Sequence, residues 1–454
     1  MTAVIDPVDS VITPLAGLIG ADIQVPLVTG EHVRYANLDL AASAPALLPV
    51  ADRVAEILPL YSSVHRGAGY ASAVCTAAYE GARREVGAFV GARPGDPARQ
   101  DVVQFVRNTT DALNLLASAV PGPVVYLDIE HHANLLPWQR GEGRAVRAQA
   151  TVAGTLAAIE AELRRVPAAL LAVTGASNVT GELLPLAELA GLAHRYGARI
   201  AVDGAQLVPH RRVDIAALDI DYLAFSGHKL YAPFGAGVLA GRRDWLNEAA
   251  PYIAGGGAVR QVTLAGTSWA GVPARHEGGT PNVIGAVAIA AACRAISELP
   301  PGALTEHEAA LLDRLHDGLA AIGGVHVLTL WGGEAERIGV VTFTVAGYPA
   351  ELVAQYLSAE HGIGVRDGRF CAHPLLARLN SGDTATRASL GLGSTSEDVD
   401  RLIAAIAALR AIGPSWTYAG AAGDYLPLND PRALPDWISA TEAGTAACAG
   451  AWDS

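Results

Sequence analysis

Short apolar runs alternate with helix-patterned segments between residues 36 and 290. In one example, a helix-like Gly154–Val166 precedes a strand-like Ala168–Thr174, and a helix-like Leu184–Tyr196 leads into a strand-like Arg199–Asp203. Strand, loop, helix and strand in this order are typical of a parallel sheet with right-handed crossovers. We therefore predict a large α/β domain over residues 36–290, built on a mostly parallel sheet.

The pattern changes after about residue 290. The predicted elements there are helices at Gly285–Leu299, Leu304–Ile322, Pro349–His361 and Ser396–Ile412 and strands at Val325–Leu330 and Gly339–Val345. They indicate a smaller α+β domain over residues 291–414. Residues 1–35 precede the large-domain pattern, and we expect them to pack against the small domain. Residues 415–454 form a tail that we expect over the surface or at an oligomer interface.

Composition narrows the classes of protein that fit this pattern. The chain has 454 residues, of which 51% are hydrophobic and 17% are charged. A single core rarely grows beyond about 250 residues, so a globular protein of two domains is expected. The net charge is −13, and the basic residues form no cluster of the kind that binds a phosphate backbone. We therefore expect no nucleic-acid partner.

Targeting signals and cysteines point to an intracellular setting. Gly, Pro or charged residues interrupt the apolar stretches before they reach the length of a membrane span. The first residues lack the basic start and apolar core of a signal peptide, so we expect a cytoplasmic protein with no membrane partner. The four cysteines, Cys75, Cys293, Cys371 and Cys448, show neither a C-x-x-C pair nor metal-ligand spacing. Reduced thiols and no metal site are expected.

The segment Phe225–Tyr231 carries the first candidate chemistry, a small polar turn that ends in Lys229 after an apolar strand. Lysine amines form Schiff bases with carbonyl compounds, and burial supplies the neutral amine that this requires. An isolated lysine is more often an ordinary surface residue. Asp203, however, ends an earlier predicted strand, and a carboxylate can pair with a pyridinium nitrogen. Together these two residues favour pyridoxal phosphate.

Other polar residues also follow predicted strands, where parallel sheets bind their ligands. Thr109 and Thr110 come after the apolar run Val102–Val106, and hydroxyls at a helix N-terminus suit a phosphate group. Either threonine could instead be a simple helix cap. His131 and His132 follow another strand and could stack on a planar ring, move protons or serve the structure alone. No third residue at a suggestive spacing completes a metal site for them.

A loop of the predicted small domain carries a thiol among charges. Arg366 and Arg369 precede Cys371 on this loop, together with Asp367. Nearby cations favour a nucleophilic thiolate, whereas a carboxylate disfavours it. A buried structural cysteine is the alternative interpretation. Arg387 lies inside an apolar run, where a guanidinium needs a carboxylate partner from the protein or from a substrate.

The order and spacing of these motifs resemble a known family over roughly residues 38–412. The matching segments are Leu38–Ala44, Val64–Gly67, Arg107–Thr110, Glu130–Asn134, Ser177–Gly181, Asp203–Gln206, Ser226–Tyr231, Gly279–Asn282, Arg366–Pro374 and Arg387–Ser389. The chain resembles the class V enzymes of fold-type I that use pyridoxal phosphate. It is most similar to the Suf-type cysteine desulfurases and the related selenocysteine lyases.

The resemblance implies a role for each matching residue at the cofactor. Lys229 would form the Schiff base and move the α-proton, Asp203 would keep the pyridine nitrogen protonated, and His131 would stack on the ring. Gln206 would contact the phenolic oxygen. The phosphate site would consist of Thr109, Thr110, Ser226, His228 and, from the second subunit of a homodimer, Thr280.

The resemblance also implies a reaction. Asn178, Arg387 and Arg366 would bind a small amino-acid substrate through its carboxylate. Cys371 would take the sulfur of L-cysteine as a persulfide, release alanine and pass the sulfur to an acceptor protein. Residues 255–282 look like the extended hairpin of the Suf type, near which sulfur acceptors dock.

Three positions depart from the family pattern and keep alternatives open. Ala232 stands where the family has glycine, Asp367 where it has a small residue, and Phe370 where it often has a polar one. An aminotransferase, epimerase or C–S lyase of the same class would keep the cofactor and leave Cys371 without a role. A family member without catalysis, acting as a binding partner, is a third hypothesis.

Overall fold

The computed structural model describes residues 11–93, 95, 100–380, 384–421 and 424–438, and its centre is a seven-stranded sheet. In spatial order the strands are Asp101–Val106, Gly237–Arg242, Tyr222–Ser226, Arg199–Asp203, Leu170–Thr174, Val124–Leu127 and Gly143–Val146. Only Gly237–Arg242 runs antiparallel to its neighbours within this sheet. The predicted mostly parallel sheet is confirmed.

Both faces of this sheet are buried. In the strand Leu170–Thr174, Leu170 and Ala172 belong to one apolar cluster, while Leu171 and Val173 belong to another. Successive side chains of a strand point to opposite faces, so an all-apolar strand requires cover on both sides. The covering helices are Leu48–Ile57, Tyr70–Phe89, Thr109–Ala117, Leu136–Gln139, Val152–Arg165, Leu186–Arg195, Arg243–Glu248 and Val283–Ser297, with 3-10 turns at Leu58–Leu60, His132–Asn134 and Ala274–His276.

A second sheet of four antiparallel strands has its own apolar cluster. Its strands, in spatial order, are Val325–Val327, Val340–Val345, Ala385–Ser389 and Arg366–Gly368, and the helices near it are Ala303–Ala320, Ala350–His361 and Ser396–Ile412. The helix His373–Leu379 instead contributes Leu375 and Leu376 to an apolar cluster of the large sheet. Thr395 and Asp398 form a capping box at the start of the last helix, which fixes where that helix begins. Gly362, with φ of 63°, ends the helix Ala350–His361.

The helix Val283–Ser297 spans the predicted domain limit at residue 290. It runs through that residue without interruption, and its residues Ala292 and Cys293 lie in the apolar cluster of the large sheet. The limit at residue 290 and the other domain limits stay predictions.

The N-terminal segment contacts the helices of the second sheet. The Ile12 amide donates to Ser396 Oγ at 3.0 Å, and the Val28 amide donates to Ala359 O at 2.9 Å. Its short strands are Gln24–Pro26, paired with His32–Arg34, and Ala36–Asn37, paired with Ile363–Gly364. Residues 1–10 of the predicted segment lie outside the described residues.

The described part of the C-terminal tail is a hairpin that packs on the helix Ala350–His361. The strands Tyr418–Ala421 and Asp424–Pro427 form this hairpin. Glu360 on the helix accepts hydrogen bonds from four donors of the tail, the Ser415 amide and hydroxyl, the Trp416 amide and the Tyr418 hydroxyl. The tail thus lies over the surface up to residue 438, and residues 439–454 lie outside the described residues.

A further hairpin, Val259–Thr263 with Gly266–Trp269, lies inside the predicted segment 255–282. Its tip residue Leu264 is fully exposed. Among the described ranges, no helix combines the length and the apolar character that a membrane crossing requires.

Candidate active site

A cleft of about 220 Å³ opens at the carboxyl ends of the parallel strands. All of the predicted site residues except Thr280 line it. The large-sheet side contributes residues at or after the ends of its strands. The four-stranded sheet contributes Arg366 and Arg387, and Cys371 lies on the loop between their strands. Parallel sheets bind ligands at this edge, where strands end and helices begin.

Lys229 is the only lysine of the chain, because the other 31 of its 32 basic Lys and Arg residues are arginines. It follows the buried strand Tyr222–Ser226 and is partly buried itself. Burial lowers the pKa of its amine to about 8, with Arg387 and Arg366 acting in the same direction and Asp203 opposing them. Near neutral pH a much larger share of this amine is therefore neutral and nucleophilic than in an ordinary exposed lysine.

Asp203 ends the strand Arg199–Asp203 and is only 3% exposed. Its Oδ1 accepts a hydrogen bond from the Ala205 amide at 2.9 Å. Burial raises the pKa of this carboxyl, while the Ala205 amide and the Lys229 charge oppose the increase. A buried carboxylate is costly unless a cation pairs with it. The site therefore favours a ligand that presents a positive charge to Asp203.

His131 lines the cleft as a neutral imidazole. Its Nδ1 accepts a hydrogen bond from the Ala133 amide at 3.0 Å. Burial lowers the pKa of His131 to about 3, and the charges of Lys229, His132 and Arg387 act in the same direction. Since Nδ1 is the acceptor, the ring proton lies on Nε2. An uncharged ring in this position suits stacking on a planar ligand.

The carboxylate just before His131 holds this loop in place. Glu130 is completely buried, and its two oxygens accept from Asn134 Nδ2 at 2.6 Å and from the Thr174 amide at 3.0 Å. Burial raises the pKa of Glu130 well above its usual range, although these two hydrogen bonds oppose the increase. Glu130 therefore links the His131 loop to the neighbouring strand.

The helix Thr109–Ala117 presents its N-terminus to the cleft. The cap is Asn108, whose side chain accepts from the Asp111 amide at 3.0 Å, so the interpretation of a threonine as the cap is wrong. Thr109 Oγ1 lies 2.6 Å from Ser226 Oγ, which also accepts from the Thr109 amide at 2.8 Å. Hydroxyls and a helix N-terminus are thus gathered at one end of the cleft, as an anionic group requires.

Arg387 is 3% exposed on the strand Ala385–Ser389. Its Nη1 donates to Asn178 O at 3.0 Å, its Nη2 lies 3.3 Å from Asp39 Oδ1, and its buried Nε has no partner among the described residues. Burial lowers the pKa of Arg387 to about 10, which the Asp39 carboxylate opposes. The guanidinium therefore has donor capacity and positive charge to offer a carboxylate.

The loop of Cys371 is held in an unusual backbone conformation. Phe370 and Cys371 have φ of 52° and 51°, values that residues other than glycine seldom adopt. Their carbonyls accept hydrogen bonds, Phe370 O from Asn178 Nδ2 and Cys371 O from the His132 amide, both at 2.8 Å. The thiol of Cys371 is exposed, whereas Cys75 and Cys293 are buried. The interpretation of Cys371 as a buried structural cysteine is wrong.

A family profile described as Aminotransferase class-V matches residues 36–402. The chain belongs to the class-V aminotransferase family. This family consists of enzymes that depend on pyridoxal phosphate, and its members include the fold-type I cysteine desulfurases to which the chain is similar.

The similar members of the class-V family match over most of their length. The cysteine desulfurase of Dickeya dadantii (strain 3937) is 39% identical over 398 residues, which cover 84% of this chain and 92% of that protein. Among solved structures, the cysteine desulfurase CsdA from Escherichia coli is 31% identical with a TM-score of 0.71, covering 82% of this chain and 94% of its own. The apo cysteine desulfurase from Thermococcus onnurineus NA1 is 31% identical with a TM-score of 0.75, covering 83% and 94%.

The cofactor of the class-V family fits the residues present. Asp203 is a buried carboxylate that needs a cation, as the protonated pyridine nitrogen would supply. The hydroxyl groups at the start of the helix Thr109–Ala117 suit a phosphate. Gln206 donates from Nε2 to Ala41 O at 2.8 Å and leaves a buried Oε1 with no partner among the described residues. Its second N–H remains able to meet a phenolic oxygen.

Two residues of the site carried no role in the sequence interpretation. Asp39 pairs with Arg387, and burial raises its pKa although Arg387 and Arg366 oppose the increase. Glu130 fixes the His131 loop. Each is the single carboxylate of a matched family segment, Leu38–Ala44 or Glu130–Asn134, and that is the signal that could have marked them.

Thr280 lies apart from the other predicted site residues. It is exposed, follows the hairpin segment and does not line the cleft of its own chain. Its assignment to the phosphate site of a second subunit stays a prediction.

Proposed function

We propose that this protein is a cysteine desulfurase that depends on pyridoxal phosphate and converts L-cysteine to alanine, leaving a persulfide on Cys371. One observation carries the proposal. The exposed thiol of Cys371 lines the same cleft as the amine of Lys229 and the guanidinium of Arg387. A Schiff-base lysine, a carboxylate-binding arginine and a nucleophilic thiol are the groups that the reaction needs in one place.

Three residues on the large-sheet side of the cleft control protons and charge in this proposal. When bound, pyridoxal phosphate supplies an electron sink that weakens the bonds at the α-carbon of the amino acid. Lys229, with a pKa near 8, removes the α-proton and later returns one. With the cofactor bound, Asp203 would keep positive charge on the ring nitrogen, and the neutral His131 would cover the ring without adding a competing charge.

The residues opposite them bind the substrate and receive the sulfur. Arg387 donates to the substrate carboxylate with N–H groups that the protein leaves free, and Asn178 and Arg366 flank it. Cys371 Sγ attacks the substrate sulfur, an S–S bond forms, and the Cβ–S bond breaks with its electron pair remaining on the carbon. Protonation of that carbon yields alanine.

The assembly forms part of the same proposal. We infer a homodimer in which Thr280, exposed and outside its own cleft, reaches the phosphate site of the other subunit. A sulfur-acceptor protein would approach the exposed Cys371 beside the hairpin Val259–Thr263 and Gly266–Trp269.

The variant Cys371→Ser tests the proposed reaction. With L-cysteine and a reducing thiol, the variant should release no sulfide and form no alanine, while the visible absorbance of the bound cofactor is retained. Cys293→Ala is the matched control, because Cys293 is buried in the core and its replacement should leave turnover unchanged. Undiminished sulfide release by Cys371→Ser would exclude the persulfide mechanism. Pyruvate formation in its place would favour a C–S lyase or an aminotransferase.

A further inference from the structure

Phe370, a position where the chain departs from the family pattern, lies against the arginine that we assign to the substrate carboxylate. The centroid of its ring is 5.2 Å from Arg387 Cζ. The side chain is 6% exposed, lines the cleft and belongs to a residue with a left-handed backbone. The Asn178 side chain holds the Phe370 carbonyl at 2.8 Å. Backbone and neighbours thus fix the ring beside the guanidinium.

The electrostatic surroundings of Arg387 explain what such a ring contributes. Arg366 lies directly opposite Arg387 in the antiparallel register, and both burial and this second cation act against the Arg387 charge. Asp39 is the one carboxylate among the described residues that forms an ion pair with Arg387. A second carboxylate would stabilise the charge further, but it would occupy the N–H donors that a substrate needs.

An aromatic face stabilises a cation without accepting its N–H donors, because the attraction arises from the ring quadrupole. Arg387 Nη1 and Nη2 already donate to Asn178 and Asp39, while the buried Nε has no partner among the described residues. The Phe370 ring therefore supports the charge and leaves the remaining donors available.

We propose that Phe370 is a positioning residue that holds the Arg387 guanidinium, through its ring face, for the carboxylate of an α-amino-acid substrate. This inference rests on the proposed function only in assigning the substrate carboxylate to Arg387. It extends that function by naming the group that determines how tightly amino acids with a free carboxylate bind.

The holoenzyme variant Phe370→Leu tests this role, since leucine keeps much of the apolar volume and removes the ring face. The KM for L-cysteine should rise about tenfold while kcat stays within about twofold, because a contact present in both ground and transition states changes KM alone. L-alanine has the carboxylate but no sulfur. Its dissociation constant, measured from the cofactor absorbance and from the thermal shift of the holoenzyme, should also rise about tenfold.

Three controls separate the ring face from general damage. Phe370→Tyr keeps the face and should bind L-alanine within about twofold of the wild type. L-alaninamide lacks the carboxylate, so Phe370→Leu should not change its affinity. Phe89→Leu makes the same replacement at a partly buried residue packed on the main core. It should change neither the KM for L-cysteine nor the dissociation constant of L-alanine.

Specific outcomes would overturn the inference. Unchanged L-alanine affinity in Phe370→Leu, equal weakening of L-alaninamide, or a fall in kcat without a change in KM would each exclude the role in holding Arg387. L-alanine binding requires no sulfur transfer, so it remains measurable if the Cys371→Ser test contradicts the proposed reaction. The two failures are therefore distinguishable.

Discussion

The two walls of the cleft are built in different ways. On the large-sheet wall, Asp203 ends one buried parallel strand and Lys229 follows another, and the Ala205 amide donates a hydrogen bond to the Asp203 carboxylate. On the opposite wall, the loop of Cys371 has two residues in left-handed conformation and an exposed thiol. The large-sheet wall consists of buried, well-packed residues, and the opposite wall presents the reactive thiol of Cys371 to the solvent.

This difference corresponds to the two tasks of the proposed reaction. Holding a cofactor requires groups locked at strand ends, where packing determines their positions. Passing sulfur to another protein requires a thiol that both the substrate and the acceptor can reach, which a loop provides. Replacements on the two walls should therefore have different signatures, and the following predictions test that contrast.

The largest effect is expected at Lys229. Lys229→Ala should lower the rate of alanine formation by about 10³-fold or more, because it removes both the Schiff-base amine and the residue that moves the α-proton. Borohydride reduction of the wild-type holoenzyme should fix one cofactor per chain, and peptide mass spectrometry should find it at Lys229, the only lysine. In the variant no lysine remains to be labelled. A variant that keeps more than a tenth of the wild-type rate would contradict the assignment.

The next effect is expected at Glu308, which forms ion pairs with the large-sheet side. Its replacement should lower the stability of the fold more than the catalytic rate. Glu308, on the helix Ala303–Ala320, is 3% exposed and binds His210 and Arg211 of the large-sheet side, with Arg211 Nη1 at 2.6 Å. Removing one partner of a buried ion pair costs about 3–5 kcal/mol. Glu308→Gln should lower the free energy of unfolding by this amount in denaturant titrations, while kcat changes less than tenfold.

The pH dependence of the same pair has a definite sign. Burial would raise the pKa of Glu308, but His210 and Arg211 overcome it and hold the pKa below its usual range. A depressed carboxyl pKa contributes stability above the unfolded value of about 4.3 and loses it as the pH falls through the folded value. The difference in the free energy of unfolding between wild type and Glu308→Gln should therefore become smaller below about pH 4. A difference that stays constant down to pH 3 would point to lost packing instead.

The smallest effect is expected at Asp367, which lies four residues before the exposed Cys371 in the chain. Burial and the neighbouring Glu351 raise the pKa of Asp367, which Arg366 opposes. A carboxylate near a thiol disfavours the thiolate, so Asp367→Asn should speed alkylation of Cys371 about two- to threefold at neutral pH. Peptide mass spectrometry after brief iodoacetamide treatment measures this rate, with the buried Cys293 as the internal reference. Slower alkylation in the variant would show that Asp367 supports the thiolate.

The sequence pattern was sufficient to predict the bounds of helices and strands where interactions between neighbouring residues determine them. The strand Arg199–Asp203 and the helix Ser396–Ile412 have the predicted bounds. The start of the helix was predictable because its capping box consists of residues that lie close together in the sequence. The strand predicted at Val325–Leu330 ends instead at Val327. Leu330 leaves the sheet because its amide donates to Glu182, a partner 148 residues away that no local pattern shows.

The candidate site also contains contacts between residues that are distant in the sequence, and local pattern could not predict these contacts. Residues after strands were predictable, since the edge of a parallel sheet gathers them. The pair of Asp39 with Arg387 and the ring of Phe370 against that arginine depend on how two distant segments meet. The left-handed backbone of Phe370 and Cys371 likewise occurs where a distant residue, Asn178, donates a hydrogen bond to the Phe370 carbonyl.

The ion pair of Asp39 and Arg387 joins residues 348 positions apart in the chain. Because Arg387 is synthesised so late, this pair forms only near the end of biosynthesis. A ribosome that adds about 5–20 residues per second exposes the lysine turn on the order of ten seconds or more before it exposes Arg387. A nascent chain can thus present its amine to an aldehyde before the wall that recognises amino acids exists. Capture of the cofactor during translation and competence for turnover would be separate events in time, with the second marking completion of the fold.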